Sequence, residues 1–109
     1  MATLNDFKKL DMRIGTVIDV QPFPEARKPA LQLTIDFGEL GTKQSSAQIT
    51  KRYKRENLIG RQVVAVVNFP PMQIAHFKSE VLILGGIVGK GDVVLLNVDE
   101  KVENGTQIS

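Results

Sequence analysis

The 109-residue chain has no cysteine and no tryptophan, one tyrosine, and one histidine, His76. Without cysteine there is no disulfide framework, no thiol nucleophile and no Cys-based zinc or iron–sulfur site. A lone histidine excludes His-pair metal sites and leaves a single imidazole base. Long apolar runs are also missing. The longest, Val63 to Val67, has five residues, against about 20 for a membrane-spanning helix, so no membrane insertion is expected. The segment Met1 to Leu10 carries Asp6, Lys8 and Lys9 and lacks the apolar stretch of a signal peptide, so a cytoplasmic location is expected. Linkers rich in Pro, Gly or Ser, internal repeats and low-complexity tracts are absent, and proline stops at Pro71. With 42% hydrophobic and 24% charged residues, the expectation is one globular domain over residues 1–109.

The net charge of +2 hides an asymmetry. Between Lys43 and Arg61 six cations stand against Glu56 alone, a net of +5, whereas Asp92 to Ser109 sums to −3. A local basic stretch on a near-neutral chain suggests a surface that meets anions, and its bland counterpart is a solvated helix face. Other basic residues beside it in space would decide between the two.

Along the chain, Thr3 to Leu10 reads as a short helix with Thr3 or Asn5 as N-cap. Its apolar stripe is Leu4, Phe7 and Leu10. So short a helix must dock on something. Met12 to Gln21 has strand period, with Gly15 expected to mark a bend or bulge. Pro22, Pro24 and Pro29 bracket a loop. Leu31, Leu33, Ile35 and Phe37 alternate as a second strand. In Lys43 to Ile49, Ser45, Ala47 and Ile49 share one face, and Gln44, Ser46 and Gln48 the other. Thr50 to Ile59 reads as a basic helical turn closed by Gly60. Gln62 to Asn68 and Glu80 to Leu84 read as buried strands, with Phe69 to Lys78 a loop. A tight turn through Gly85 to Gly91 then leads to Val93 to Leu96. Five main strands, the first long and bent, predict an all-β chain: a five-stranded Greek-key OB-fold barrel with a short N-terminal helix and a short helix between strands three and four. A small β-sandwich is the competing arrangement. The helix between strands three and four favours the barrel.

Enzymatic motifs fail one by one. Gly85-Gly86-Ile87-Val88-Gly89-Lys90-Gly91 lacks the spacing of a phosphate loop, and Gly91 stands where Ser or Thr would hold magnesium. His76 and Ser79 have no orienting carboxylate. Asp11, Asp19, Asp36 and Asp92 have no metal-loop spacing. Asn104-Gly105-Thr106 matches a glycosylation sequon and reads as a turn. No catalytic residue, metal or cofactor is expected.

An OB-fold binds ligands on the face of strands two and three, flanked by the loops joining strands one to two and four to five. On that frame the expected groove for an extended peptide takes Phe23, Arg27, Phe69, Met72, Ile74 and Phe77. For RNA the expected contacts are Arg27, Lys28, Lys43, Gln44, Ser46, Gln48, Asn68, Lys78 and Ser79. Core packing is the alternative for each phenylalanine.

Asp11-Met12-Arg13-Ile14-Gly15, together with Asn68 and Ser79, resembles the tRNA-binding domain appended to methionyl-tRNA synthetases and to the phenylalanyl-tRNA synthetase β-subunit. Phe23-Pro24-Glu25-Ala26-Arg27, Ile35-Asp36-Phe37-Gly38, Gln44-Ser45-Ser46-Ala47-Gln48-Ile49-Thr50, Val66-Val67-Asn68-Phe69-Pro70-Pro71 and Lys78-Ser79-Glu80-Val81-Leu82 resemble the CsaA branch of that family, the bacterial export-related chaperones. The resemblance covers nearly the whole chain. It implies a homodimer joined through residues 1–10, with Leu4, Phe7 and Leu10 at the interface. It implies binding of unfolded precursor proteins and of the export motor SecA without ATP, with tRNA binding as the alternative. Two departures bear on the ligand: Met72 stands where that branch often has a basic residue, and Ser79-Glu80-Val81-Leu82 replaces the Ser-x-Gly-Met common in tRNA-binding relatives.

Overall fold

The computed structural model describes residues 1–109. After helix α1 (Leu4–Lys8), strand β1 (Met12–Pro22) runs for 11 residues. Its first half pairs with β4 (Gln62–Val66), its second with β2 (Leu31–Asp36), and Thr16 belongs to both ladders. One strand thus serves both halves of the barrel, and a single bent element can do so only if its pleat shifts phase. The shift is a bulge between Val17 and Asp19. It puts both Val17 and Val20 into the core and leaves Ile18 48% exposed. The bulge is therefore not at Gly15, as the sequence suggests. Gly15 instead marks the point where β1 presses on β2: a Cβ there would lie 2.7 Å from Ile35 Cγ2 and 2.8 Å from the Asp36 carbonyl oxygen.

Strand β3 (Thr42–Ala47) pairs along β2, and β7 (Leu82–Ile83) along β4, giving the order β3-β2-β1-β4-β7. Closure of β3 onto the β7 side rests on a few bonds. Glu80 N–H donates to the Gln44 carbonyl at 2.8 Å. Gln44 N–H donates to Glu80 Oε1 at 3.1 Å, and the buried Ser45 hydroxyl to the Val81 carbonyl at 2.9 Å. Ser46 N–H donates to Ser79 Oγ at 3.0 Å. The result is a five-stranded OB-fold barrel with an opening past Ser46.

Phe37, Leu33, Ile35, Leu58, Val17 and Val63 fill the barrel with under 2% exposure. Helix α2 (Arg55–Leu58) plugs one end with Leu58, and Gly60, at φ +85°, turns the chain so that its N–H reaches the Val17 carbonyl at 2.8 Å. Tyr53 OH accepts the Leu95 N–H at 3.1 Å, tying this plug to the far strands. The last residues lie along the free edge of β1, where Ile14 N–H donates to the Thr106 carbonyl and Ile108 N–H to the Met12 carbonyl, both at 2.9 Å.

Three stretches differ from expectation. The loop from Phe69 to Lys78 holds a small hairpin, β5 (Met72–Ile74) against β6 (Phe77–Ser79). Within Glu80 to Leu84 only β7 joins the ladder, and Leu82 is half exposed. The glycine run is strand β8 (Gly85–Gly89), paired with β9 (Asp92–Leu95), because glycine lets the two backbones close up: a Cβ on Gly85 would meet Val93 at 2.6 Å. No helix is long and apolar enough to cross a membrane.

Candidate functional site

The opening past Ser46 is a groove of about 440 Å³. Ser46 of β3 and Gln48, just past its end, line it together with Ser79 and Glu80. Phe69, Met72 and Leu82 form the walls, and they are 43%, 65% and 50% exposed. Three large apolar side chains left in water around one cleft are a patch with no partner inside the chain. Ile74 lines the same groove from β5.

The outward face of β3 is legible in the sequence, since Gln44, Ser46 and Gln48 alternate with Ser45, Ala47 and Ile49, which are at most 8% exposed. Leu82 was not among the expected groove residues. Parity could have found it, because its neighbour Val81 points inward at 5% exposure.

Several expected ligand contacts lie elsewhere. Phe23 and Phe77 are 3% and 8% exposed and pack on each other with ring centroids 5.4 Å apart, so they form a second small core with Ala30 rather than a groove wall. Lys43 shares the face of Ser45, opposite the Gln44–Gln48 row. Lys78 projects from β6 between Phe77 and Ser79, away from the groove. Arg27 is exposed on the loop after β1, beside an open cleft of its own. Asn68 is a structural clamp: its Oδ1 accepts the Asp11 N–H and its Nδ2 donates to the Lys9 carbonyl, both at 2.9 Å, fixing the α1–β1 junction. Ser79 Oγ is engaged by the Ser46 N–H, and His76 sits exposed at the hairpin turn with no hydrogen bond to it.

The basic stretch is largely answered inside the fold. Arg52 grips Asp92 with two bonds of 2.5 and 3.1 Å. Arg55 reaches Asp19 at 3.1 Å and the Val20 carbonyl at 2.9 Å. Arg61 lies over the Tyr53 ring, 5.2 Å from its centroid. The hydrogen bond from Arg52 holds the Asp92 carboxyl below its ordinary pKa. The Gln21 side chain and then Arg55 do the same for Asp19. Local charge in the sequence therefore overstates the charge offered to a ligand. Lys51 is unpaired with any carboxylate, and its ammonium donates to the Lys90 carbonyl at 3.1 Å.

Far from the groove, Thr3 caps α1 as expected, in a reciprocal box with Asp6. Leu4, Phe7 and Leu10 are 67%, 36% and 36% exposed and, with Ile108, flank a shallow cleft of about 280 Å³.

The family described as "Putative tRNA binding domain" matches residues 12–107. The structure of chaperone CsaA from Bacillus anthracis superposes with a TM-score of 0.96 at 64% identity, covering 100% of this chain and 99% of that one. The CsaA chaperone protein from Picrophilus torridus gives 0.94 at 53% identity, covering 100% of both. Among curated sequences, the methionine–tRNA ligase of Methanococcoides burtonii is 32% identical over 108 residues, 99% of this chain. The chain spans only 16% of that ligase.

Proposed function

The chain belongs to the tRNA-binding-domain family, on its CsaA branch, and on that premise we propose that it is a non-catalytic chaperone that holds apolar segments of unfolded precursor proteins. The observation that carries this is the groove of about 440 Å³ walled by exposed Phe69, Met72 and Leu82. Methionine is unbranched and polarizable, so such a wall adapts to many side chains, as a chaperone requires. Only Phe69 among the lining residues is aromatic, which offers little stacking surface for bases. Holding is reversible: apolar side chains leave water on entry, and nothing in the cycle needs ATP. We propose unfolded precursors and the export motor SecA as partners, and the cytoplasm as the place of action.

We further propose a homodimer through α1. Leu4, Phe7 and Leu10 are not fully buried within one chain and join neither of its core clusters. Two grooves on one particle would let two weak contacts reinforce each other. Phe7→Asp puts an unpartnered charge into that apolar interface, so the variant is expected to sediment as a monomer with an unchanged circular-dichroism spectrum. A dimer that survives the substitution refutes the α1 interface.

The second function is tRNA binding, favoured by the match to a domain of methionine–tRNA ligases. Fluorescence-anisotropy titrations with an unfolded precursor-derived peptide and with bulk tRNA, each at two salt concentrations, separate the two. The expected result is peptide binding that changes little with salt. Neutralising about three to five phosphates would instead give a log K against log salt slope of about −2 to −4.5. That slope for tRNA with no peptide signal overturns the chaperone function.

A further inference from the structure

Gln48 lines two cavities. On one side is the apolar groove. On the other is a pocket of about 410 Å³ lined by Lys28, Thr50, Lys51 and Lys90. None of these three lysines is in an ion pair, and the carboxylate beside Lys51, Asp92, is already gripped by Arg52. The pocket is therefore cationic on balance.

Between the cavities the main chain is unpaired at Gln48. Along β3, Gln44 and Ser46 turn their N–H groups away from β2, toward Glu80 and Ser79. Burial continues to alternate through Ala47, Gln48 and Ile49, so Gln48 presents its N–H and C=O to the same side. Neither group makes a main-chain hydrogen bond. The barrel thus leaves a short free strand edge, with an apolar cleft at one end and a cationic one at the other.

Building on the peptide-holding function proposed above, we propose that the two cavities are one continuous site for an extended peptide. The peptide adds as a short strand on the Ser46–Gln48 edge. It sets an apolar side chain against Phe69, Met72 and Leu82, and a carboxylate among Lys28, Lys51 and Lys90. Unpaired strand edges are templates for such addition. The preferred segment in an unfolded chain is then an apolar residue near an acidic one, not an apolar run alone. A polyanion such as RNA would use the lysines but lacks the alternating N–H and C=O groups that pair with a strand edge.

The test uses four labelled short peptides: an apolar one with Gln flanks, the same with Glu in place of the Gln residues, and two N-methylated forms of the first, each blocking one alternate set of amides. Each is titrated by anisotropy into the wild type and into K51Q/K90Q at low salt. The Glu peptide is expected to bind about fivefold tighter than the Gln peptide, as screened exposed charges allow. In K51Q/K90Q that preference disappears, and an unchanged circular-dichroism spectrum and melting temperature report an intact fold. N-methylation is expected to weaken binding in one alternate set of amides and not in the other. A preference that is absent, or that survives K51Q/K90Q, overturns the carboxylate pocket while leaving the groove function standing. Equal tolerance of both N-methylated sets overturns the strand addition. If the Gln peptide does not bind the wild type at all, the groove function itself fails and this inference with it. An oligoribonucleotide whose binding is lost in K51Q/K90Q, with both peptides unaffected, assigns the pocket to phosphate and overturns the proposal.

Discussion

Gly15→Ala is expected to lower the stability of the fold by about 3 kcal/mol, the upper end of what overpacking a core costs. For a domain of this size that corresponds to a drop in melting temperature of roughly 12–24 °C. The added methyl would sit 2.7 Å from both Ile35 Cγ2 and Phe37 Cδ1, and 2.8 Å from the Asp36 carbonyl oxygen. Ile35 and Phe37 are 0% exposed, so neither has empty space to move into. The carbonyl cannot rotate away without disturbing β2 where β1 passes from one half of the barrel to the other. Gly15→Val should exceed the whole stability of a typical domain's weaker range, about 5 kcal/mol, and yield unfolded protein. Gly86→Ala is the control, because the nearest atom to its added Cβ is 3.9 Å away. It should stay within about 0.5 kcal/mol of wild type. Thermal or urea unfolding of the three variants decides the matter. Equal melting of Gly15→Ala and Gly86→Ala would show that the β1–β2 contact yields easily, and that β1 is not the rigid diagonal of the barrel.

What the sequence discloses and what it conceals follow from the range of the forces involved. Alternation reads out the inward faces of β2 and β3, because burial at Leu33, Ile35, Ser45 and Ala47 obeys the pleat of one strand at a time. The Thr3 cap and the Gly60 stop are equally local. The bulge beyond Val17 is not local: it meets the demand that β1 serve two neighbours at once, and no residue type announces it. Phe23 and Phe77 look like binding aromatics because both stand in loops, yet the fold brings the loops together and they bury each other. Arg52 and Arg55 look like an anion site until Asp92 and Asp19 arrive from distant strands. Asn68 falls on a family motif, yet its amide does structural duty at the start of β1. Lys43 adjoins the row of Gln44, Ser46 and Gln48 in sequence, yet the pleat puts it on the opposite face. The resemblance to a family supplies the architecture, but only long-range packing decides which of its polar and aromatic residues are left for a ligand.

Met72→Asp is the substitution that should most reduce peptide binding without touching the barrel. Met72 is 65% exposed on the outer strand of a hairpin, so changing it should move stability by no more than about 0.5 kcal/mol. Losing the burial of one large apolar side chain on complex formation is worth about 1.5–3 kcal/mol, and forcing a carboxylate into the closed groove adds to this. The expected loss for a neutral apolar peptide is therefore about 30-fold or more. Met72→Leu should retain affinity to within a few-fold, since volume and apolarity are kept. Phe77→Ala makes the opposite comparison. It removes a side chain that packs 5.4 Å from Phe23, centroid to centroid, so it should cost about 3–5 kcal/mol of folding stability rather than act at the groove itself. Salt then separates cause from coincidence. If Met72→Asp acts by removing apolar contact, its loss of affinity persists when ionic strength is raised, because screening does not reach a desolvation cost inside the groove. If the loss for the neutral peptide vanishes in high salt, the new carboxylate acts through the charges of the protein around the groove and not by lost apolar contact. The apolar walls would then be bystanders.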